Sequence, residues 1–245
     1  MYVCFSNMRR LLTAEIMRIE DLDNCDTIIE RASEIVKSGG IIVYPTDTSY
    51  GLGCDPRIPD ALERLKSVKR RDKRIGVPLL FSDMKQCEMY HDFGVLEKVI
   101  TRLFWPGLLT LVVEAKLEVP DHITVGRSTI VVRVPNHVIP RRIAQKIGGP
   151  IVGTSANRTG GPSPFDVAVA IDQLGEEVDL YIDGGPSLST ADSTIIGVEG
   201  TGLDEPLNIK VYREGQLSIN ELSESLKVDS DALNTWSNRF VYTDM

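Results

Sequence analysis

The chain has 245 residues, of which 42% are hydrophobic, and its formal net charge at pH 7 is −8. A chain of this length and hydrophobicity can bury one large core, so a disordered protein is excluded. The acidic balance argues against a protein that grips duplex nucleic acid over a broad basic surface. The four cysteines and three histidines show no CxxC or metal-ligand spacing, so we expect no zinc site and no disulfide framework.

No apolar run reaches the length needed to cross a bilayer, and the N-terminus lacks a secretory signal pattern. We therefore expect a cytoplasmic protein whose cysteines are buried in a reducing compartment.

Apolar periodicity and punctuation by Pro and Gly predict the elements in chain order. From the N-terminus they predict a helix over 23–39, a strand over 41–44, a helix over 60–69, a strand over 77–81, a helix over 95–105, strands over 108–115 and 129–134, a helix over 137–147 and a strand over 151–153. Ser163-Pro164 predicts a further helix start, followed by strands over 178–182, 194–198 and 209–212. Ser218 and Glu221 form a capping box that begins a last helix.

Helices and strands are mixed without strict alternation, which predicts an α/β domain with a twisted mixed sheet and flanking helices. We divide the chain into an N-terminal extension with a first strand (1–22), a main domain (23–216) and a short helical C-terminal tail (217–245). Trp236 and Phe240 are the largest apolar anchors of that tail.

A first polar cluster, Pro45–Gly51, follows a buried strand. Thr, Asp and Ser form hydrogen-bonded turns locally, so a simple turn is one interpretation. The other is that Thr46 and its neighbours bind a small polar substrate.

The run Lys69–Arg74 holds five basic residues in an acidic protein. It is either a solvated helix C-terminus, where the helix dipole favours cations, or a clamp for phosphate groups.

An arginine, Arg133, interrupts the apolar strand over 129–134. A buried guanidinium is costly unless it is paired, so its partner is either a protein carboxylate or a substrate carboxylate.

The run Ile151–Gly161 ends a short apolar segment with Thr154, Ser155, Asn157 and Arg158. Hydroxyl and amide donors at a strand end are suited to holding phosphate or carboxylate oxygens. Weaker clusters of the same kind are Asp192-Ser193-Thr194 and Tyr212-Arg213-Glu214-Gly215. Walker, GxSxG, HExxH and strand-linked GxGxxG motifs are absent from the sequence, and neither His122 nor His137 is expected to act as a base.

Taken together, these clusters resemble the YrdC-type threonylcarbamoyl-AMP synthase family in its single-domain form. The matching stretches occur in family order and are YPTDTSYGLG (44–53), ALERLKSVKRR (61–71), FWPGLLTLVV (104–113), VVRVPNH (131–137), GTSANRTGGPSP (153–164), DGG (183–185), DSTII (192–196) and REG (213–215). The resemblance implies a YrdC/RibB-like α/β fold, in which a twisted mixed sheet encloses a large concave cavity.

The activity implied by the resemblance is nucleotidyl transfer, in which L-threonine, bicarbonate or CO2, and ATP give threonylcarbamoyl-AMP and pyrophosphate. Other proteins then pass the threonylcarbamoyl group to tRNA, so tRNA is a partner mainly through them. Mg2+ is expected to accompany the ATP without a dedicated set of protein ligands. This chemistry needs positioning and charge stabilisation rather than a protein nucleophile.

The resemblance also implies site residues. Threonine would be bound by Thr46, Arg133 and Ser193. ATP would be bound by Lys69, Arg71, Thr129, Ser155, Asn157, Ser163 and Arg213, and Lys69 and Arg71 would be the catalytic cations.

Three departures from the family pattern bear on this assignment. Asp72 stands where the family usually has Pro after Lys-x-Arg, and the loop to Pro78 is two residues longer, so Arg71-x-Lys73 is an alternative equivalent pair. Ser82 stands where the family often has a histidine. Only about thirty residues follow Gly215, so we expect a short helical tail in place of the second domain of longer members. The competing hypotheses are a paralogue that binds RNA or a nucleotide without adenylate synthesis, and a member that acts on another carbamoyl compound.

Overall fold

The structure, a computed structural model, describes residues 14–200 and 206–243. Its strands are β1 (Glu15–Arg18), β2 (Ile42–Tyr44), β3 (Gly51–Gly53), β4 (Pro78–Leu80), β5 (Leu109–Glu114), β6 (Thr129–Arg133), β7 (Ile151–Val152), β8 (Thr154–Ser155), β9 (Leu180–Asp183), β10 (Thr194–Glu199), β11 (Leu207–Arg213) and β12 (Trp236–Tyr242). Its α-helices are α1 (Asp26–Lys37), α2 (Pro59–Val68), α3 (Met84–Cys87), α4 (Val95–Phe104), α5 (Asp121–Thr124), α6 (Val138–Ile147), α7 (Val167–Leu174), α8 (Ile219–Lys227) and α9 (Ser230–Thr235).

The strands form two mixed sheets, which confirms the predicted α/β class and divides its strands between two layers. The five-stranded sheet has the order β1-β9-β2-β3-β8, and the seven-stranded sheet has the order β12-β11-β10-β5-β6-β4-β7. Both contain parallel and antiparallel pairs; β5, for example, runs parallel to β10 and antiparallel to β6.

Two hydrophobic clusters hold these layers together. Because side chains alternate along a strand, Ile42 faces one cluster while Val43 faces the other. The smaller cluster packs α1 and α6 on the five-stranded sheet, with Val36 and Ile143 fully buried. The larger one joins both sheets and contains Val132. Burying each such side chain contributes roughly 1.5–3 kcal/mol, which stabilises the strands whose ends carry the polar clusters.

The glycines of the YGLG stretch allow the ring of Tyr44 to lie close to the backbone of β3. A Cβ atom on Gly51 or Gly53 would lie 2.7 Å from the ring of Tyr44 on the neighbouring strand. Without these side chains the Tyr44 ring lies across β3, and its hydroxyl donates to the Val152 carbonyl at 2.5 Å. This packing holds the polar loop between β2 and β3 against β7.

The helix start predicted at Ser163-Pro164 is wrong. Helix α7 begins at Val167, and Asp166 caps it by accepting from the Ala168 amide. The Pro164 carbonyl instead accepts from the Tyr50 amide at 2.8 Å, so tertiary contacts hold this segment out of the helix.

The C-terminal tail, predicted to be short and helical, contains two helices and also a strand that was not predicted. Helices α8 and α9 are followed by β12, which pairs parallel with β11 at the edge of the seven-stranded sheet. Trp236 is buried and Phe240 contacts it edge-on, as expected of the two anchors. Because β12 pairs in parallel with a strand more than twenty residues away, the local sequence contains no turn pattern from which this pairing could be predicted.

Within the described ranges, none of the helices combines the length and the apolar character that a membrane span requires.

Candidate active site

Polar residues from both sheets meet around a cavity of about 190 Å³. The five-stranded sheet contributes Thr46 and the loop that follows it, together with β3 and β8, and the seven-stranded sheet contributes side chains of β4, β5, β6, β10 and β11. Arg71, Arg133 and Arg213 line this cavity, and Asp192 is the one carboxylate among its described lining residues. The cavity therefore carries an excess of positive charge in an acidic protein.

Arg133 ends β6 and is almost fully buried. Its Nη2 donates to Asp47 Oδ1 at 2.7 Å, its Nη1 to Thr48 Oγ1 at 2.9 Å and its Nε to the Gly107 carbonyl at 2.8 Å. Burial lowers the pKa of Arg133, and the Asp47 carboxylate counteracts that effect. The protein-carboxylate interpretation of this arginine is confirmed, and its contact with threonine stays a prediction.

Thr46 belongs to a local turn. Its hydroxyl donates to the Ser49 carbonyl at 2.7 Å and accepts from the Thr48 amide at 3.0 Å. The turn interpretation of the Pro45–Gly51 cluster is thereby confirmed. Thr46 also lines the cavity, so the turn presents this residue where the predicted threonine would lie.

Asp192 connects two loops that are far apart in sequence. One of its carboxylate oxygens accepts from Ser49 Oγ at 2.6 Å and the other from Ser163 Oγ at 2.7 Å. Arg213 Nη1 lies 3.9 Å from the same carboxylate. The predicted residue Ser163 thus borders the cavity through Asp192 instead of lining it.

Ser193 and Arg213 lie together at the ends of β10 and β11. Arg213 donates to the Ser193 carbonyl from Nε at 3.0 Å and from Nη2 at 2.7 Å. Thr110 donates its hydroxyl to Ser193 Oγ at 2.8 Å. These contacts bring a predicted threonine ligand and a predicted ATP ligand to the same wall of the cavity.

Lys69 and Arg71 follow α2 and lie next to the TSAN run. Lys69 is buried, and burial, opposed weakly by Asp192, lowers its pKa to about 8. The Lys69 ammonium lies within hydrogen-bond distance of Ser155 and Asn157, whereas Arg71 lines the cavity directly. Arg70, between them, has the left-handed backbone conformation (φ 53°) and is exposed. A left-handed residue is a usual way to end a helix, and here it separates the two cations.

Two other cations of the Lys69–Arg74 run form ion pairs with nearby carboxylates. Lys73 pairs with Glu63 at 2.7 Å, and Arg74 pairs with Asp72 at 2.7 Å. Both are exposed ion pairs outside the cavity lining. The structure therefore favours Lys69 and Arg71 over the alternative pair Arg71 and Lys73.

Thr129 lies apart from the other predicted residues. It shares one face of β6 with Val131 and Arg133, but four residues of extended strand place it about 13 Å from Arg133. It lines a larger neighbouring cleft of about 1090 Å³ together with Val112, Gly197 and residues of α9. A nucleotide contact by Thr129 would require a ligand that extends along this sheet face.

Sequence reasoning missed four polar residues of the site, which are Asp47, Thr48, Thr110 and Asp192. All four belong to motifs that the sequence analysis quoted without assigning roles to these residues. Thr110 carried the same signal as Arg133, a polar side chain inside an apolar strand. Searching buried strands for single polar residues would have found it.

The described residues contain no group of three or more His, Cys, Asp or Glu side chains that could hold a metal ion. Asp192 is engaged by two serine hydroxyls and Asp47 by Arg133, so neither carboxylate is part of a preformed cation site. That Mg2+ accompanies a bound nucleotide stays a prediction.

A family model, Sua5/YciO/YrdC, described as "Telomere recombination", matches residues 34–215. The chain belongs to this family. The threonylcarbamoyl-AMP synthase of Coxiella burnetii is 35% identical over 170 residues, which cover 68% of the chain and 91% of that protein. A putative threonylcarbamoyl-AMP synthase of Mycobacterium tuberculosis is 33% identical over 199 residues, which cover 81% of the chain and 88% of that protein.

Solved structures of the family have the same fold. E. coli YciO superposes with a TM-score of 0.74 at 27% identity, covering 85% of the chain and 98% of that protein. A double variant of P. abyssi Sua5 superposes with a TM-score of 0.79 at 26% identity, covering 93% of the chain. The chain spans 65% of the length of that Sua5 structure. P. abyssi Sua5 complexed with L-threonine superposes with a TM-score of 0.77, and at 24% identity that likeness shows the fold alone.

Proposed function

We propose that this chain is a threonylcarbamoyl-AMP synthase, a nucleotidyltransferase that uses L-threonine, bicarbonate or CO2, and ATP. Relatives that carry this name are 33–35% identical to most of the chain. The observation that carries the proposal is the cavity itself, in which three arginines and several hydroxyls surround a single carboxylate. Such a site suits one zwitterionic and one polyanionic substrate.

On the threonine side of the cavity, which we define by Thr46, Arg133 and Ser193, the guanidinium of Arg133 would hold the substrate carboxylate. The hydroxyls of Thr46 and Ser193 would orient the amine and the side chain. The ammonium of the zwitterionic threonine first loses one proton to become an amine. The amine nitrogen then bonds to the carbon of CO2 or bicarbonate and loses a second proton, which gives a carbamate. With bicarbonate, hydroxide leaves as water.

On the nucleotide side, which we define by Lys69, Arg71, Ser155, Asn157 and Arg213, the triphosphate would lie beside the carbamate. A carbamate oxygen attacks the α-phosphorus of ATP, the bond to the β-phosphate oxygen breaks, and pyrophosphate leaves. Cations and oriented donors stabilise the charge of that transition state, so no protein nucleophile is needed. Ser163 supports this side through Asp192, and Thr129 would contact the nucleoside end.

Mg2+ would enter with ATP and neutralise phosphate charge, while the protein residues orient the substrates. The product would be consumed in the cytoplasm by proteins that transfer the threonylcarbamoyl group to tRNA.

The test is to incubate the protein with ATP, L-threonine, Mg2+ and isotopically labelled bicarbonate and to follow the products by mass spectrometry. We expect labelled threonylcarbamoyl-AMP and an equal amount of pyrophosphate. Reactions without threonine, and the variant Arg133→Met, are the controls. A wild-type signal no higher than these controls would contradict the proposal. Salt-sensitive RNA binding without turnover would support the RNA-binding paralogue instead.

A further inference from the structure

His91 is a buried histidine that the proposed function does not use. It belongs to the loop that precedes α4, and its side chain is only 8% exposed. Its Nδ1 lies 2.6 Å from the Glu114 carbonyl oxygen at the end of β5, and its Nε2 lies 2.9 Å from Glu97 Oε2 in the first turn of α4. One imidazole ring therefore joins the loop, the helix and the strand.

Both partners of this ring are hydrogen-bond acceptors. A backbone carbonyl has no proton to donate, and an ionised carboxylate has none either. The carboxylate oxygen of Glu97 that faces His91 also accepts from the Gly94 amide at 2.8 Å, as an ionised glutamate does at the start of a helix. A ring that donates from both nitrogens is an imidazolium, so His91 is positively charged in this arrangement.

The balance of interactions at His91 agrees with that charge. Burial by itself lowers the pKa of His91, because it disfavours the charged ring. The Glu97 carboxylate and the Glu114 carbonyl outweigh burial, and the pKa of His91 is raised above its ordinary value of 6.5. The ring therefore keeps its proton at a pH where an exposed histidine has lost part of it.

The other charged groups around His91 are mostly acidic. Those that line the same cleft, on the loop, on β5 and after it, and on β10, are Asp92, Glu114, Lys116 and Glu199. Lys116, the one cation of that set, pairs with Asp92 at 2.8 Å. Burial raises the pKa of the nearby Cys87 thiol, so it is neutral where His91 titrates.

Aromatic rings connect His91 to the segment that follows α4. The His91 ring contacts Phe93 edge-on, with ring centroids 4.6 Å apart, and Phe93 contacts Trp105 edge-on, with centroids 6.0 Å apart. Trp105 Nε1 donates to the Leu109 carbonyl at 2.7 Å. The rings therefore connect the loop before α4 to the bend over 105–109, which leads into β5.

That bend carries a carbonyl that orients Arg133. The Gly107 carbonyl accepts from Arg133 Nε at 2.8 Å, and the Gly107 amide donates to the Val134 carbonyl at 2.9 Å. A shift of Trp105 would therefore reach the guanidinium of Arg133 through two residues of backbone. Contacts of this kind, each in the next one's reach, are the physical route by which one group can affect another.

We propose that the His91 imidazolium is a positioning residue: it holds the loop before α4 against α4 and β5, and through the aromatic rings it holds the bend that orients Arg133. Loss of its proton removes one of its two hydrogen bonds, so the hold on Arg133 weakens as the pH rises. The charge of His91 and its link to the bend stand without any reaction. Only the effect on threonine rests on the proposed function.

The first test is an NMR titration of the histidine rings without any ligand. The chain contains three histidines, so the signals of His91 can be assigned by their loss in His91→Gln. We expect both ring nitrogens of His91 to be protonated at about pH 6.5, with a midpoint above that value. A neutral His91 ring at this pH would overturn the proposal.

Two glutamate variants test the partner of the ring. Glu97→Gln removes the carboxylate and should lower the midpoint of His91 by about one pH unit or more. The matched control is Glu221→Gln, because Glu221 makes the corresponding contact in α8 but bonds the Ser218 hydroxyl instead of an imidazole. It should leave the midpoint unchanged. Equal midpoints in Glu97→Gln and the wild type would overturn the proposal.

Stability measures the same proton. Because the pKa of His91 is raised in the folded state, its contribution to the free energy of unfolding is complete below about pH 6.5 and is lost as the pH rises through the folded-state pKa. The denaturant midpoint of the wild type, relative to that of His91→Gln, should fall over this interval. Parallel profiles of these two proteins would overturn the proposal.

The link to the bend is read from the tryptophan side chains in the same titration. The chain contains two tryptophans, Trp105 and Trp236, and Trp236 lies at the start of β12. The indole N–H signal of Trp105 should shift with the midpoint of His91, and this shift should be absent in His91→Gln. Trp236 is the internal reference. A Trp105 signal that does not change with the His91 titration would overturn the proposal.

The last readout is the dissociation constant of L-threonine, measured without ATP on both sides of the His91 midpoint. In the wild type it should rise roughly 5-fold across the midpoint, and in His91→Gln it should stay constant. Phe93→Leu leaves His91 and Glu97 in place, so it should keep the histidine titration and lose this rise. A rise as large in Phe93→Leu as in the wild type, or no rise in a wild type that binds threonine, would overturn the proposal. A wild type that binds no threonine at either pH would contradict the proposed function alone, since the NMR and stability readouts use no substrate.

Discussion

The two sides of the cavity differ in whether a protein carboxylate pairs with their buried cations. On the threonine side, the charge of Arg133 is balanced by Asp47 at 2.7 Å. On the nucleotide side, Lys69 and Arg71 form no salt bridge among the described residues, and burial lowers the pKa of each. A balanced site suits a zwitterion such as threonine, and an unbalanced cationic site suits a polyphosphate. Under the proposed function, the pairing of Arg133 with Asp47 and the unpaired charges of Lys69 and Arg71 would help to separate the two substrates electrostatically.

The strongest challenge to this comparison is Arg133→Met. It leaves the Asp47 carboxylate buried without its cation, which should cost about 3–5 kcal/mol of unfolding free energy. Threonine-dependent turnover should also be lost. Denaturant unfolding and product assays measure the two effects.

The double variant Arg133→Met with Asp47→Asn is the control for Arg133→Met. It should recover stability without recovering turnover, because the charge imbalance is removed while the substrate contact stays absent. Recovery of turnover would show that Arg133 serves only to neutralise Asp47.

Arg71→Met tests the unbalanced side. We expect the KM for ATP to rise roughly 10- to 100-fold, since a hydrogen bond to a charged group contributes about 1.5–3 kcal/mol. The KM for threonine should change little, because Arg71 belongs to the nucleotide side. The free energy of unfolding should also change little, because the Nε of Arg71 is buried without a hydrogen-bond partner among the described residues of the free protein. Steady-state kinetics with each substrate varied in turn measures the two KM values. A change confined to threonine would contradict the division of the cavity.

The pH dependence of stability tests the charge state of Lys69. Its pKa is about 8 in the folded protein and near 10.5 in the unfolded chain, so the unfolded chain binds more protons between these values. The free energy of unfolding contributed by Lys69 should therefore rise as the pH increases from about 8 to about 10.5. Wild type should gain on the order of 1–3 kcal/mol relative to Lys69→Met over this interval, as measured by denaturant unfolding. Parallel pH profiles would show that the pKa of Lys69 is not lowered.

Lys73→Ala should have the smallest effect. Lys73 lies in an exposed pair with Glu63, and such pairs contribute about 0.2–1 kcal/mol. The KM for ATP should stay within about twofold of the wild type. A larger rise would restore Arg71-x-Lys73 as the pair that binds phosphate.

Local sequence patterns predicted every long helix and most strands, since amphipathic periodicity records which face is buried. They missed β3, β8 and β12. Strands β8 and β12 pair with strands that are distant in sequence, and β3 contains two glycines, which weaken the pattern of a strand. The same limit applies to the site. The sequence identified Thr46, Lys69, Arg133, Ser155 and Arg213 as polar groups in unusual positions, but it carried no information on their partners.

By itself, the sequence determined the α/β class, the family motifs and the polar residue types gathered at strand ends. Only the tertiary structure decided that Arg133 is balanced by Asp47, that Ser163 bonds Asp192 instead of starting a helix, and that Lys69 lies inside the TSAN turn while Arg71 lines the cavity. The physical reason is that residue type and periodicity are local properties, whereas the partner of a buried charge is set by segments that folding brings together.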